Sequence, residues 1–282
     1  MQIVNLGTAA NAGDGDPLRT AFGKANANDA ELLSGVLGAI WGLTLSTAGA
    51  STSFGVAAGA ATDKTGVAVL PFAAAVTKTT SAWAVGSGNG SLDTGSIANS
   101  TWYHVHLIQR TDIDPAVTDV LISTSATAPT LPASYTLSRR IGAIKTNGSG
   151  QWTKFVQDGD LFMWDVPVTD VNAAANPGTA AVLRALSVPP GINVTAIFHA
   201  RCSTATASSA VATIFTDPAI ADTAPDFFNS QQIGNTTLSP FANLRVRTNT
   251  SRQIRARSNF SDANVALTVV TEGWVDTRGR MN

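Results

Sequence analysis

Thr101-Trp102-Tyr103-His104-Val105-His106-Leu107-Ile108-Gln109 is the stretch that decides the class of fold. Side chains alternate across a strand, so Trp102, His104, His106 and Ile108 share one face and Tyr103, Val105 and Leu107 share the other. Both faces carry apolar groups, and the spacing predicts a strand that is partly covered on each side. Around it the same texture continues. Gly86-Ser87-Gly88-Asn89-Gly90 is a turn cluster, Val120 to Ser123 makes a further strand, and Pro129 and Pro132 force an extended connection. Arg139 to Lys145 is expected to pair with Gln151 to Gln157 across Asn147-Gly148-Ser149-Gly150, as a hairpin. Asp158-Gly159 is a second turn, leading into Leu161 to Val166.

Upstream, Leu43 and Leu45, Phe54 and Val56, then Val67, Val69 and Leu70 form short apolar runs. Pro71 and Lys78 interrupt them, as expected at the edge of an all-β domain. Thr169 to Ala181, with Asn172, Asn176, Pro177 and Gly178, has the composition of a linker. Beyond it, Ile192 to Ala200, Ala210 to Phe215, Leu244 to Thr248, Arg252 to Arg257 and Val265 to Val275 are again alternating runs. The expected fold is mainly β, with antiparallel β-sandwich, jelly-roll-like domains preceded by a short N-terminal helix. The expected division is an attachment turn and helix at 1–40, a β domain at 41–170, a linker at 171–181 and a second β domain at 182–282. No fixed-period repeat emerges, which argues against a solenoid or propeller.

The helix begins after a tight loop in which Gly13 and Gly15 alternate with Asp14 and Asp16. Asp16 is placed to accept from the free amides of the first turn, and Pro17 suits the first helical position, where no donor is needed. Leu18, Ala21, Phe22, Ala25, Leu32, Leu33 and Val36 then recur at three- and four-residue steps, predicting a helix from Pro17 to about Val36. Leu18, Ala25 and Leu32 lie seven residues apart, and Asp29 interrupts the second row. Such a stripe packs but is too weak for a lone helix, so a partner surface is expected.

Composition narrows function further. Charged residues are 13% of the chain and the net charge is −1, against about a quarter charged in typical soluble domains. There is no bulk electrostatic pull toward nucleic acid or anionic membranes. Cys202 is the lone cysteine, which leaves no intrachain disulfide or thiolate cage. No basic segment leads into an apolar run with a cleavage site, and no stretch of roughly eighteen apolar residues occurs. Folding in a cytoplasm and no membrane insertion are expected.

Three passages carry a resemblance. Gly-Asp-Pro-Leu-Arg-Thr-Ala-Phe from Gly15 to Phe22, followed by Lys24-x-Asn26-Ala27-Asn28 and an acidic residue before Leu32, resembles a segment near the start of many tailed-bacteriophage fibre and virion-appendage proteins, departing from it at Ala25 and Asp29. Thr101 to Val105, Asp119 to Ser125, Ala128-Pro129-Thr130-Leu131-Pro132, Tyr135 and Arg139-Arg140-Ile141-Gly142 are similar to a β module of phage tail and fibre proteins. Trp274-Val275-Asp276-Thr277-Arg278-Gly279-Arg280 looks like that module's closing strand. The resemblance implies a structural, noncatalytic virion component, made in the host cytoplasm and commonly a homotrimer. Asp16, Pro17, Leu18, Phe22 and Leu32 would attach it to other virion proteins, and the β domains would face a host surface glycan or glycolipid. Rival readings are a head-fibre, decoration or tail-tip connector subunit without a receptor, a surface-glycan depolymerase, or a bacterial carbohydrate-binding module.

Chemistry in the residues is sparse. Glycan cleavage needs paired carboxylates, but Glu31 and Glu272 are the only glutamates, and Asp158 and Asp160, beside Trp164, read best as a hairpin turn. A nucleophile elbow with a placed His, a phosphate loop with its Lys and a zinc-protease helix are all missing. No catalytic residue and no cofactor is assigned. His104 and His106 are weak metal candidates, since residues two apart on a strand project the same way and a trimer axis would gather six imidazoles, as in phage fibre tips; lining a half-covered strand is the simpler reading. His199 has no partner in sequence.

Arg245, Arg247, Arg255 and Arg257 are the best anion- or partner-binding candidates. A three-residue loop at Asn249 to Ser251 would set Val246 opposite Ile254 and Arg245 opposite Arg255, with four guanidiniums on one outer face. They would hold phosphate or carboxylate groups, or acidic residues of a neighbouring subunit. Trp41, Trp83, Trp102, Trp152, Trp164 and Trp274 are expected in the core, with the sequence unable to pick an exception.

Overall fold

The computed structural model describes residues 2–10, 12–35, 38–204, 211–226, 231–233 and 242–280. The fold is mainly β, as expected, with one α-helix among the described residues, α1 (Leu18–Gly35). The first strands are short: β1 (Ile40–Gly42), β2 (Leu45–Ser46), β3 (Ser53–Val56), β4 (Gly59–Thr62), β5 (Val69–Phe72), β6 (Val76–Ala82) and β7 (Gly90–Leu92). Longer ones follow: β8 (Trp102–Arg110), β9 (Val117–Ser123), β10 (Leu137–Lys145), β11 (Phe155–Asp158) and β12 (Leu161–Ala175). The chain closes with β13 (Val182–Ala185), β14 (Thr195–Thr204), β15 (Val211–Thr216), β16 (Gln231–Ile233), β17 (Ala242–Arg247), β18 (Gln253–Ser258) and β19 (Val265–Val275).

These strands form four sheets. One has three strands in the order β1-β4-β5, and one has seven in the order β10-β8-β9-β7-β6-β3-β2. The others have five, β11-β12-β19-β14-β17, and four, β13-β18-β15-β16. β8 carries the pattern that decided the fold and is buried from Trp102 to Gln109, flanked by β10 and β9. Its His face turns toward the five-stranded sheet. Trp102 packs on Trp164 and Trp274 at 5.6 and 5.3 Å between ring centroids, and Phe162 stacks on Trp274 at 5.1 Å. Its other face joins Phe54 and Trp152, through Tyr103 at 5.8 Å from Trp152.

The expected domain boundary falls inside a strand. β12 runs through residues 171–175 and pairs antiparallel with β19 from Leu161↔Val275 to Ala175↔Ala266. A sheet therefore joins the two expected β domains, and one apolar core extends across both. The linker composition reflects a bulged strand end: the register shifts between Val171 and Ala174, and Ala173 sits at φ +46°. A turn at Asn176 to Gly178 follows, in which the Asn176 side chain accepts from the Gly178 amide.

Two expected hairpins close as turns but do not continue as ladders. Asn147 N–H donates to the Gln151 carbonyl at 2.7 Å, yet β10 pairs with β8 while β11 pairs with β12 in another sheet. Asn249 N–H donates to the Gln253 carbonyl at 3.0 Å, yet β17 lies beside β14 and β18 lies between β13 and β15. Lys78 also departs from expectation. It lies on an interior strand, fully buried, with Nζ donating to the carbonyls of Ala84 and Gly86 and to Asp119 Oδ2 at 2.8, 3.1 and 3.1 Å. The ion pair and the two carbonyls satisfy an ammonium that could not otherwise be buried.

Candidate functional site

α1 starts one residue later than expected, with the Pro17 carbonyl accepting from the Ala21 amide. Asp16 does not cap the first turn. Its Oδ2 accepts from the Asn5 amide and from Lys24 Nζ, at 2.8 and 2.7 Å, folding residues 2–5 back along the polar side of the helix. Asn28 and Lys24 also donate to the carbonyls of Gln2 and Ile3. That leaves Leu18 at 74% and Phe22 at 59% exposure, pointing away from the chain; the side chain of Leu32 lies outside the described residues. After the helix in the chain, the outer face of the three-stranded sheet carries Trp41, Pro71 and Val69, all exposed. Trp41 is the exception that sequence could not name, at 75% exposure; Trp83 is half-buried, and Trp102, Trp152, Trp164 and Trp274 are buried.

The four arginines alternate outward as expected, with Leu244, Ile254 and Ala256 buried between them. They do not form one face, because their strands belong to different sheets. Three of them tie down the loop after β15. Arg247 donates to Asp217 at 2.8 Å, Arg257 to Asp222 at 2.8 Å, and Arg255 to the carbonyls of Pro218 and Ile220. Burial would raise the Asp217 carboxyl, but the Ala219 amide and Arg247 together hold it below its usual range. Arg245 remains exposed on β17.

His104 and His106 are buried, not presented to solvent. His106 Nε2 lies 3.0 Å from the Ser125 carbonyl; neither ring nitrogen of His104 reaches good hydrogen-bond geometry, although the Pro190 carbonyl faces it. Burial, then the positive charges of Arg140 and His106, pushes His104 down to about 3; burial chiefly pushes His106 down to about 4. Both rings are neutral at pH 7. Among the described residues no group of three or more His, Cys, Asp and Glu could hold a metal. His199 meets Glu272 across β14 and β19 at 3.2 Å, and Asp160 is taken up by Arg278 and Arg280.

His106 and Arg247, from two separate candidate sets, nevertheless meet in one place. A cleft of about 630 Å³ opens where β10 and β8 face the ends of β14, β17 and β19, and its walls include Lys64, Arg139, Arg140, Arg247 and Arg278 with a single carboxylate, Asp276. Asp276 is engaged. Arg140 grips it with two bonds of 2.6 and 2.7 Å, which overcomes the burial that would raise its carboxyl and holds it below the usual range. The sequence held a signal for this site in the doublet Arg139-Arg140 and the closing Arg278-Gly279-Arg280, unusual density in a chain so poor in charge.

No family model, no curated protein and no solved structure matches the chain.

Proposed function

We propose that the protein is a noncatalytic structural component of a tailed-phage virion, a trimeric fibre-like appendage attached through its N-terminal part with the β body turned outward to the host surface. The observation that carries this reading is the distribution of uncovered apolar side chains. Of the thirteen exposed large apolar side chains among the described residues, seven (Ile3, Leu6, Leu18, Phe22, Trp41, Val67 and Val69) lie in the first quarter of the sequence, on the helix, its leader and the small sheet that follows it in the chain, while the other six are scattered over the remaining three quarters. Large apolar groups concentrated in this way mark a surface that assembly covers. A helix whose polar Lys24 and Asn28 hold its leader while Leu18 and Phe22 stand exposed suits a neighbouring virion protein or the same helix of two further copies.

The same reading supports a noncatalytic role, because of the two carboxylates that the sequence sets close together, Asp158 and Asp160, the second is committed to Arg278 and Arg280. The test is Leu18→Asp together with Phe22→Asp in the full chain. Circular dichroism and melting of the β body should be unchanged, while sedimentation shifts from trimer to monomer and incorporation into particles is lost. Unaltered assembly and incorporation would overturn the proposal.

A further inference from the structure

Arg139 is a buried guanidinium that makes no ion-pair contact among the described residues. It is 7% exposed, its Nη2 donates to the Gly38 carbonyl at 3.3 Å, and its Nε finds no partner among the described residues. Burial, and then the charges of Arg140, Arg278 and Arg280, lower its pKa, with Asp63 the opposing charge. Asp63 itself is occupied by the amides of Thr65, Val67 and Ala68. Arg278 is 3% exposed; Asp160 takes its Nε and Nη2, and its Nη1 has no partner. A buried donor on a charged group is expensive to leave unpaired, and two of them line the same cleft.

The cleft is also left open where it faces Arg139. A Cβ on Gly279, at φ +72°, would stand 3.8 Å from Arg139 Nη2, so glycine leaves the approach to that guanidinium clear. Exposed Lys64 stands at the cleft as a further cation, and Thr127 and Thr277 contribute to its walls. We propose that this cleft is a binding site for a compact oxyanion, a phosphate or a carboxylate carried on a small polar molecule, gripped by Arg139 and Arg278 with Lys64 at the rim. The volume falls in the range of small-molecule sites, which favours such a ligand over a protein surface. Guanidiniums suit it because their forked donors match the oxygens of both anions. The inference stands apart from the virion reading, since the cleft would take its anion wherever the protein resides.

The test is thermal unfolding and titration calorimetry of the full chain with inorganic phosphate, glucuronate and neutral glucose, at ionic strength held constant with sodium chloride so that screening is equal in every arm. Phosphate, glucuronate or both should raise Tm in a saturable way, because the ligand binds the native state alone, and glucose should not. Whichever of the two binds identifies the oxyanion. Arg139→Gln should weaken that binding tenfold or more while leaving the unliganded protein at least as stable as the parent, since the substitution removes a repelled buried charge. A merely structural arginine would lower stability and leave no anion response to lose. Lys64→Gln, at an exposed position, should weaken binding several-fold and keeps the test decisive if Arg139→Gln fails to fold. No saturable response to either anion, or equal responses in parent and Lys64→Gln when Arg139→Gln cannot be measured, would overturn the proposal, as would an unchanged response in Arg139→Gln.

Discussion

Lowering the pH from 7.5 to 4.5 should strip the protein of much of its stability through two imidazoles. His104 and His106 are buried on β8, with pKa values of about 3 and about 4 against 6.5 for a free imidazole. The native state therefore binds fewer protons than the unfolded chain everywhere between pH 6.5 and the folded values. Stability falls as pH falls through that window. At pH 4.5 each unfolded imidazole is favoured by protonation by about 2.5 kcal/mol while the buried ring gains almost nothing, so the pair removes about 5 kcal/mol. That is comparable with the whole stability of many domains, roughly 5–15 kcal/mol.

Carboxylates do not mask the effect. Asp63, Asp217 and Asp276 are all held below their ordinary value of 3.8, so their stabilisation is present above that pH and is lost only below it. The assay is urea unfolding followed by tryptophan fluorescence at half-unit steps of pH. Each buried imidazole contributes about 1.4 kcal/mol per pH unit to the slope, so the two together contribute about 2.7 kcal/mol per unit. His106→Gln, whose amide can still donate to the Ser125 carbonyl, should reduce the slope by one imidazole's share. A parent slope under about 0.5 kcal/mol per unit between pH 5 and 6 would refute the assignment of neutral, buried rings, as would a slope in His106→Gln equal to the parent's.

Further outcomes follow from packing and charge. Lys78→Met leaves Asp119 buried without its cation and should lower unfolding stability by about 3–5 kcal/mol, with Lys78→Met/Asp119→Asn recovering part of it in chemical denaturation. Trp274→Ala, at the centre of the cluster of Trp102, Phe162 and Trp164, should destabilise by about 3–5 kcal/mol. Asp276→Asn releases Arg140 from its bidentate pair and should cost about 3 kcal/mol at pH 7, measured by the same unfolding curves. Each idea fails if the measured loss stays within the half kilocalorie typical of surface changes.

The sequence shows where strands lie far better than which strands are neighbours. Alternation identifies an inward face, and the inward positions of β17 and β18 are Leu244 with Val246 and Ile254 with Ala256, all packed on the core. That pattern fits two strands side by side in one sheet, and it fits equally well two strands facing each other across a sandwich. The tight turn at Asn249 does not decide between them, because its bonds satisfy only the turn: the Asn249 side chain accepts from the Ser251 and Gln253 amides, and Arg252 takes φ +65°. What decides is which outer neighbours complete each sheet, β14 for one strand and β13 with β15 for the other. Those partners are remote in sequence, and no local spacing encodes them.

The cleft was less legible still, since its five cations come from four separate stretches of chain, yet one part of it follows from the residues once the neighbour of β10 is known. Adjacent positions on a strand point to opposite faces. An Arg-Arg doublet inside a strand covered on both sides must therefore send at least one guanidinium toward a covered side. The alternation from Arg139 to Lys145 predicts a strand, and the structure sets it beside β8, which is buried along nearly its whole length, rather than beside Gln151 to Gln157. The doublet thus requires a buried carboxylate or carbonyl partner for at least one of its arginines. Asp276 meets that requirement for Arg140. For Arg139 the described residues offer the carbonyl of Gly38 and, without contact, the charge of Asp63, and a charge so incompletely answered is the physical ground for an anion supplied from outside.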